Sequence, residues 1–271
     1  MIQHPEVKVG IETQIDVRVI AKDGKYLGND VGGALVTIHD VQTGELLARG
    51  STNGGSGVAN LMDIPLPRYA VLPVDEASVF TANLDLDDPK LIRVTAYGPQ
   101  AAQQSANTVS QTQWVYPGRD ITGGAKGGGL LLEIPGLVVQ VLNPPTHYLP
   151  QTAPDHIEIR ANVTMMCGCP VGVGHPPWHP AQFEVKAVIK QGTTIVTEVP
   201  LEYQEDEPFE VPSQFAGKWV VPANTSGQPA IYEIIVFAFQ QKNGNTGVDR
   251  VTVIVPSPIP SNSEGNAKTP A

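Results

Sequence analysis

The chain has 271 residues, enough for two modules that each bury a core. Its formal net charge of -10 excludes a phosphate-tracking nucleic-acid surface, because such binding rests on clustered Lys and Arg. Charged residues are only 16%, Gly (27) and Pro (25) are frequent, and Val, Ile and Thr recur in short runs, which favours an all-β chain over a helical one. No apolar run reaches the roughly 18 residues of a membrane span, since Leu130 to Leu142 is interrupted by Glu133 and Pro135. The first residues, MIQHPEVKVG, show neither a basic nor an apolar signal region. Low Lys content, many Thr, Gln and Asn and tandem β modules lean towards a periplasmic or exported setting.

In chain order, Val7 to Ala21 alternates Ile15, Val17 and Val19 against Asp16 and Arg18, the period of a half-buried strand. Strands follow at Ala34 to Asp40, Leu46 to Thr52 and Val58 to Ile64, with turns at Thr43-Gly44 and Asn53 to Gly57. The positions Ala34, Val36, Ile38, Asp40, Thr43, Gly44, Gly50, Thr52, Gly57, Ala59 and Leu61 make a cadence of inward residues and hairpin turns about thirty residues long. This run resembles carboxypeptidase-regulatory-like and other bacterial immunoglobulin-like modules, and the resemblance implies a fold and no activity. Further strands at Ser78 to Leu86, Leu91 to Tyr97 and Thr108 to Tyr116 complete a first sandwich over residues 1–119.

Residues 120–129 contain DITGGAKGGG, which reads as a glycine-rich linker. It is no phosphate loop, because Lys126 follows Ala125, precedes Gly127 and leads into a strand. The second module, residues 130–256, opens with Leu130 to Leu142. Its strand His156 to Met166 sets Ile157, Ile159, Ala161, Val163 and Met165 on one face. Phe183 to Lys190 is its partner, Thr194 to Tyr203, Phe209 to Val211 and Lys218 to Val221 follow, and Tyr232 to Gln240 with Val248 to Val255 close a hairpin around Asn243-Gly244-Asn245. The tail, residues 257–271, is rich in Pro, Ser and Asn and is expected to be disordered. The fold expected is therefore all-β, two immunoglobulin-like β-sandwich domains in tandem.

The chemistry is concentrated between the first two long strands of the second module. Both cysteines of the chain, two of its six histidines and two of its four methionines fall between Met165 and Pro180. The spacing is C-x-C-x5-H-x3-H through Cys167, Cys169, His175 and His179. Two thiolates and two imidazoles form a tetrahedral set for Zn²⁺, and thiolates beside thioethers suit Cu(I) equally. Gly168, Gly172 and Gly174 let the backbone curl, and Met166 points away from the core-facing Met165. Three other readings stay open: two cysteines packed as small hydrophobes, a strained Cys167–Cys169 disulfide, and histidines exposed on a turn. A cross-sheet disulfide is excluded, because the strand YEIIVFAFQ holds no cysteine to pair with Cys167.

No nucleophile elbow, HExxH, dinucleotide fingerprint or kinase signature occurs. His39 and Asp40 are neighbours on a strand and point to opposite faces, so they form no catalytic pair. Two classes of function follow. One is a metal-binding or partner-binding module whose loop holds a thiophilic ion or orders an interface. The other is a structural subunit with no metal. Loop-centred thiol or metal chemistry is the enzymatic alternative. Sandwich geometry places the loop beside the Asn243 to Gly247 turn and facing the first module, with Trp178 as an aromatic anchor for a protein partner or a second copy.

Overall fold

The computed structural model describes residues 10–58, 76–122, 129–174, 177–205 and 212–257. The expected strands at Val58 to Ile64 and Phe209 to Val211, the central residues of the glycine-rich run, His175, and the tail from residue 258 fall wholly or mostly outside them.

Among the described residues, seven strands form the first sandwich: β1 (Ile11–Ala21), β2 (Leu35–Asp40), β3 (Leu46–Ser51), β4 (Phe80–Leu86), β5 (Lys90–Gly98), β6 (Asn107–Val115) and β7 (Leu130–Ile134). They make two sheets, ordered β4-β1-β7 and β3-β2-β5-β6. Alternation decides the inner faces: Val36 and Ile38 of β2 and Ile92, Val94 and Ala96 of β5 are buried, with polar residues between them turned outward. β1 departs from the half-buried period. Asp16 and Arg18 are buried along with their apolar neighbours, and both are hydrogen-bonded there. The Thr81 hydroxyl donates to Asp16 Oδ1 at 2.7 Å, and the Arg18 guanidinium donates to the carbonyls of Ala77 and Ser78.

The apolar run from Leu130 is two strands in two sheets. Leu130, Leu132 and Ile134 face inward, and β7 lies parallel to β1 with Val17 opposite Leu130. Pro135 then offers no N–H to continue the ladder, and Gly136 adopts φ +135, which only glycine tolerates. A Cβ on Gly136 would also press on the Met166 methyl group and approach Thr246 O at 3.2 Å.

The second sandwich holds β8 (Leu137–Asn143), β9 (His156–Met165), β10 (Phe183–Gln191), β11 (Thr194–Pro200), β12 (Glu202–Tyr203), β13 (Gln214–Val220), β14 (Ala230–Gln240) and β15 (Thr246–Val255). Its sheets are β12-β13-β9-β8 and β11-β10-β14-β15, an immunoglobulin-type division in which the first, second, fifth and sixth of these eight strands face the third, fourth, seventh and eighth. Helix is confined to 3-10 turns at Asn29–Val31 and Pro180–Gln182 among the described residues. None of these is long and apolar enough to cross a membrane. One cluster of buried apolar side chains runs through both sandwiches, from Ile15 to Val255.

Candidate functional site: a buried dithiol at the junction of the two sandwiches

β9 ends at Met165, whose side chain is in the core, and the chain folds straight back. Gly168 N–H donates to Met165 O at 2.8 Å, and Met165 N–H donates to Cys169 O at 3.0 Å. Gly168 closes this turn at φ +78, and a Cβ there would press on Val31 Cγ1 at 2.8 Å. The turn sends both cysteine side chains inward: Cys167 is 1% exposed, Cys169 is 8% exposed, and their sulfurs are 2.9 Å apart as free thiols. Further along, Ser213 of the second sandwich pins the loop, its hydroxyl accepting from Val171 N–H at 2.8 Å and donating to Val171 O.

The wall over the sulfurs comes from the first sandwich. After β1 the chain turns through Lys22 to Lys25, with Gly24 N–H donating to Ala21 O and Ala21 N–H to Lys25 O. A Cβ on Gly24 would lie 3.0 Å from Cys167 Sγ. The main-chain N–H groups of Lys25 and Cys169 favour the ionised form of that sulfur. The thiol hydrogen bond from Cys169 lowers the Cys167 pKa to about 7, against the opposing effect of burial, and those two N–H groups and the Lys25 charge add to the lowering. Cys169 shifts upward, because it supplies the shared proton, is itself buried, and faces the charge on Cys167. The pair therefore holds one proton tightly and gives up the other easily.

Asparagine 245 fastens the same corner. Its amide Nδ2 lies within hydrogen-bond reach of Gln240 Oε1 (2.9 Å), Asp23 Oδ2 (3.3 Å) and Lys22 O (3.5 Å), while its Oδ1 accepts from Gly136 N–H (3.1 Å). Lys22 Nζ donates to Asn243 O at 2.6 Å. On the other flank, Ser105 accepts from Val139 N–H and donates to the carbonyls of Val139 and Val248. A cleft of about 300 Å³ opens between these flanks, lined by Ser105, Asn107, Met166, Phe237 and Thr246 among others. Met166, the expected soft ligand, packs its methyl group under Gly136.

Of the three described residues proposed to hold an ion, the structure brings together Cys167 and Cys169 and leaves His179 apart from them. His179 is exposed and acts as a cap: its Nδ1 accepts from Ala181 N–H at 3.2 Å at the start of the Pro180–Gln182 turn. His175 lies outside the described residues, and among the described residues no group of three or more His, Cys, Asp or Glu gathers to hold an ion. Trp178 is 2% exposed, its carbonyl accepts from Gly172 N–H, and its Nε1 meets no acceptor. Sequence reasoning missed Gly24, Lys25, Ser105 and Asn245. The Asn-Gly-Asn run signalled only a turn, and nothing in the local sequence ties Gly24 to a cysteine so far along the chain.

No family model and no curated protein matches this chain. Among solved structures it is similar to the fibronectin(III)-like modules of Clostridium thermocellum CbhA, at 10% identity over 98% of this chain and 99% of that one, with a TM-score of 0.28. BcpA, the major pilin subunit of Bacillus cereus, matches at 9% identity over 90% and 69%, TM-score 0.31. The three N-terminal domains of the bacteriophage RB49 Highly Immunogenic Outer Capsid protein match at 9% over 91% and 59%, TM-score 0.26. At such identities and scores the likeness carries no functional weight, and the tandem immunoglobulin-like fold rests on the chain's own strand pairing.

Proposed function

We propose that this chain is a non-enzymatic structural and partner-binding protein, two β-sandwiches held as one rigid body, dividing at Pro135–Gly136, whose Cys167 to Pro180 loop orders the junction between them. The observation that carries this reading is the closure of the cysteine turn: both cysteines are buried, and the Cys167 sulfur lies against Gly24 of the other sandwich. An open active site would present its more acidic thiol to a substrate, and here that thiol, Cys167, is turned against the neighbouring module. The apolar cluster that runs through both sandwiches and the Asn245 and Ser105 fastenings support the same reading, as does the parallel pairing of β7 with β1. Trp178 then anchors the loop from within.

Scanning calorimetry of the intact chain tests this. One transition with equal van't Hoff and calorimetric enthalpies is the expected result. Two separable transitions would mean that the sandwiches hinge independently and that the loop orders no junction.

A further inference from the structure

We propose that Cys167 and Cys169 are a reversible thiol–disulfide couple, closed by exchange with an external disulfide, and that the Gly24–Lys25 turn of the first sandwich senses whether it is closed. The sulfurs stand 2.9 Å apart, and a covalent S–S bond is about 2.05 Å, so closure needs a movement of less than about 1 Å. Gly168, held at φ +78, is what brings both sulfurs to one side of the turn. Packing alone does not account for the arrangement. Two cysteines used only as small hydrophobes would not need so close a sulfur-to-sulfur approach within one turn.

The exchange balances as follows. Cys169, the more exposed sulfur, attacks one sulfur of a small disulfide such as oxidised glutathione, forming a mixed disulfide as the external S–S bond breaks. Its proton passes by way of Cys167 to the thiolate that leaves. Cys167 then attacks Cys169 Sγ, the mixed disulfide breaks, and the second leaving thiolate takes the remaining proton. Two electrons pass from the couple to the external disulfide, which becomes two thiols. Closure draws the Cys167 sulfur away from the wall beneath Gly24 and turns it into a weaker acceptor, so Lys25 N–H loses its partner. The sensing half of this proposal rests on the loop being the junction, and the couple itself does not.

The test uses the wild-type chain equilibrated across mixtures of reduced and oxidised glutathione, then denatured, alkylated and weighed. A species lighter by two hydrogens that takes no alkyl group, and that dithiothreitol restores to two alkylated thiols, is expected. Two alkylated thiols or glutathione adducts alone across the whole range would overturn the couple. Hydrogen exchange reads the sensing half: the Lys25 amide should exchange about tenfold faster in the oxidised protein, with the Val94 amide of β5 unchanged. Equal Lys25 rates in both forms would overturn it. In a Cys169→Ser chain Cys167 should take at most one glutathione, and an acceleration at Lys25 in that adduct as large as in the disulfide would show that bulk, not closure, loosens the turn. Two calorimetric transitions in the reduced chain would overturn the junction reading and leave the couple standing, so the two failures are distinct.

Discussion

The two halves of the Cys167 to Pro180 loop behave differently although the sequence presents them as one ligand set. The cysteine half turns inward: its sulfurs are buried against the first sandwich, and main-chain groups from both modules close over them. The histidine half turns outward at His179, whose ring serves the local backbone by capping a short turn. A thiol is small and weakly polar and can be buried with few partners, whereas an imidazole brings two nitrogens that each require a partner or water. Ligand spacing alone therefore overstates the case for a shared ion, because it ignores which side chains tolerate a dry interface.

The comparison can be broken by substitution, and the largest effect is expected at the one aromatic residue that ties the halves together. Trp178→Ala should cost about 3–5 kcal/mol by denaturant unfolding, as truncation of a buried Trp does. A loss below about 1 kcal/mol would mean that the loop closes without it. Asn245→Ala removes the acceptor of Gly136 N–H and the bonds to Gln240 and Asp23, and should cost about 1–3 kcal/mol. That loss should come with faster hydrogen exchange at Gly136, and unchanged exchange there would detach Asn245 from the junction.

The pH dependence of the inward half has a definite sign. Cys167, lowered from 9.0 to about 7 chiefly by the Cys169 thiol hydrogen bond, contributes stability that is complete above the unfolded value and is lost as pH falls through about 7. Cys169, raised by supplying that hydrogen bond, by burial and by the neighbouring charge, contributes stability fully present below 9.0 and lost progressively as pH rises from 9.0 towards its raised folded value. Stability should therefore rise from pH 7 to 9 by up to roughly 2 kcal/mol and level off or fall above 9. A Cys167→Ser, Cys169→Ser double variant should flatten that rise, and an unchanged profile would contradict the shared proton. The smallest effect is expected on the outward half: His179→Ala loses a cap on an exposed turn, under about 1 kcal/mol by the same unfolding assay, and leaves the thiol titration of the pair unmoved. A shift in that titration would rejoin the two halves.

Much of the fold was legible because strand period is a local signal. The alternation in β9 and β14 and the Asn243-Gly244-Asn245 turn each follow from neighbours within a few residues. What was not legible depends on partners far away in sequence. Asp16 and Arg18 look solvent-facing by period, and partners distant in sequence, the Thr81 hydroxyl for Asp16 and the carbonyls of Ala77 and Ser78 for Arg18, satisfy them where they are buried. Leu130 to Leu142 reads as one strand, because the parallel place beside β1 cannot be seen from the run itself. Likewise the cysteine pair was visible as chemistry, while Gly24 and Lys25, which decide what the pair faces, carry no signal of their own.

The central claim, that the buried dithiol loop makes the two sandwiches one body, is tested most directly by native-state hydrogen exchange across denaturant. The amides to follow are Val94, central in β5 of the first sandwich, and Val236, central in β14 of the second. The account predicts that both exchange through one global opening, with the same free energy and the same denaturant dependence. A Val94 amide that opens at markedly lower free energy while Val236 stays protected, or the reverse, would contradict it.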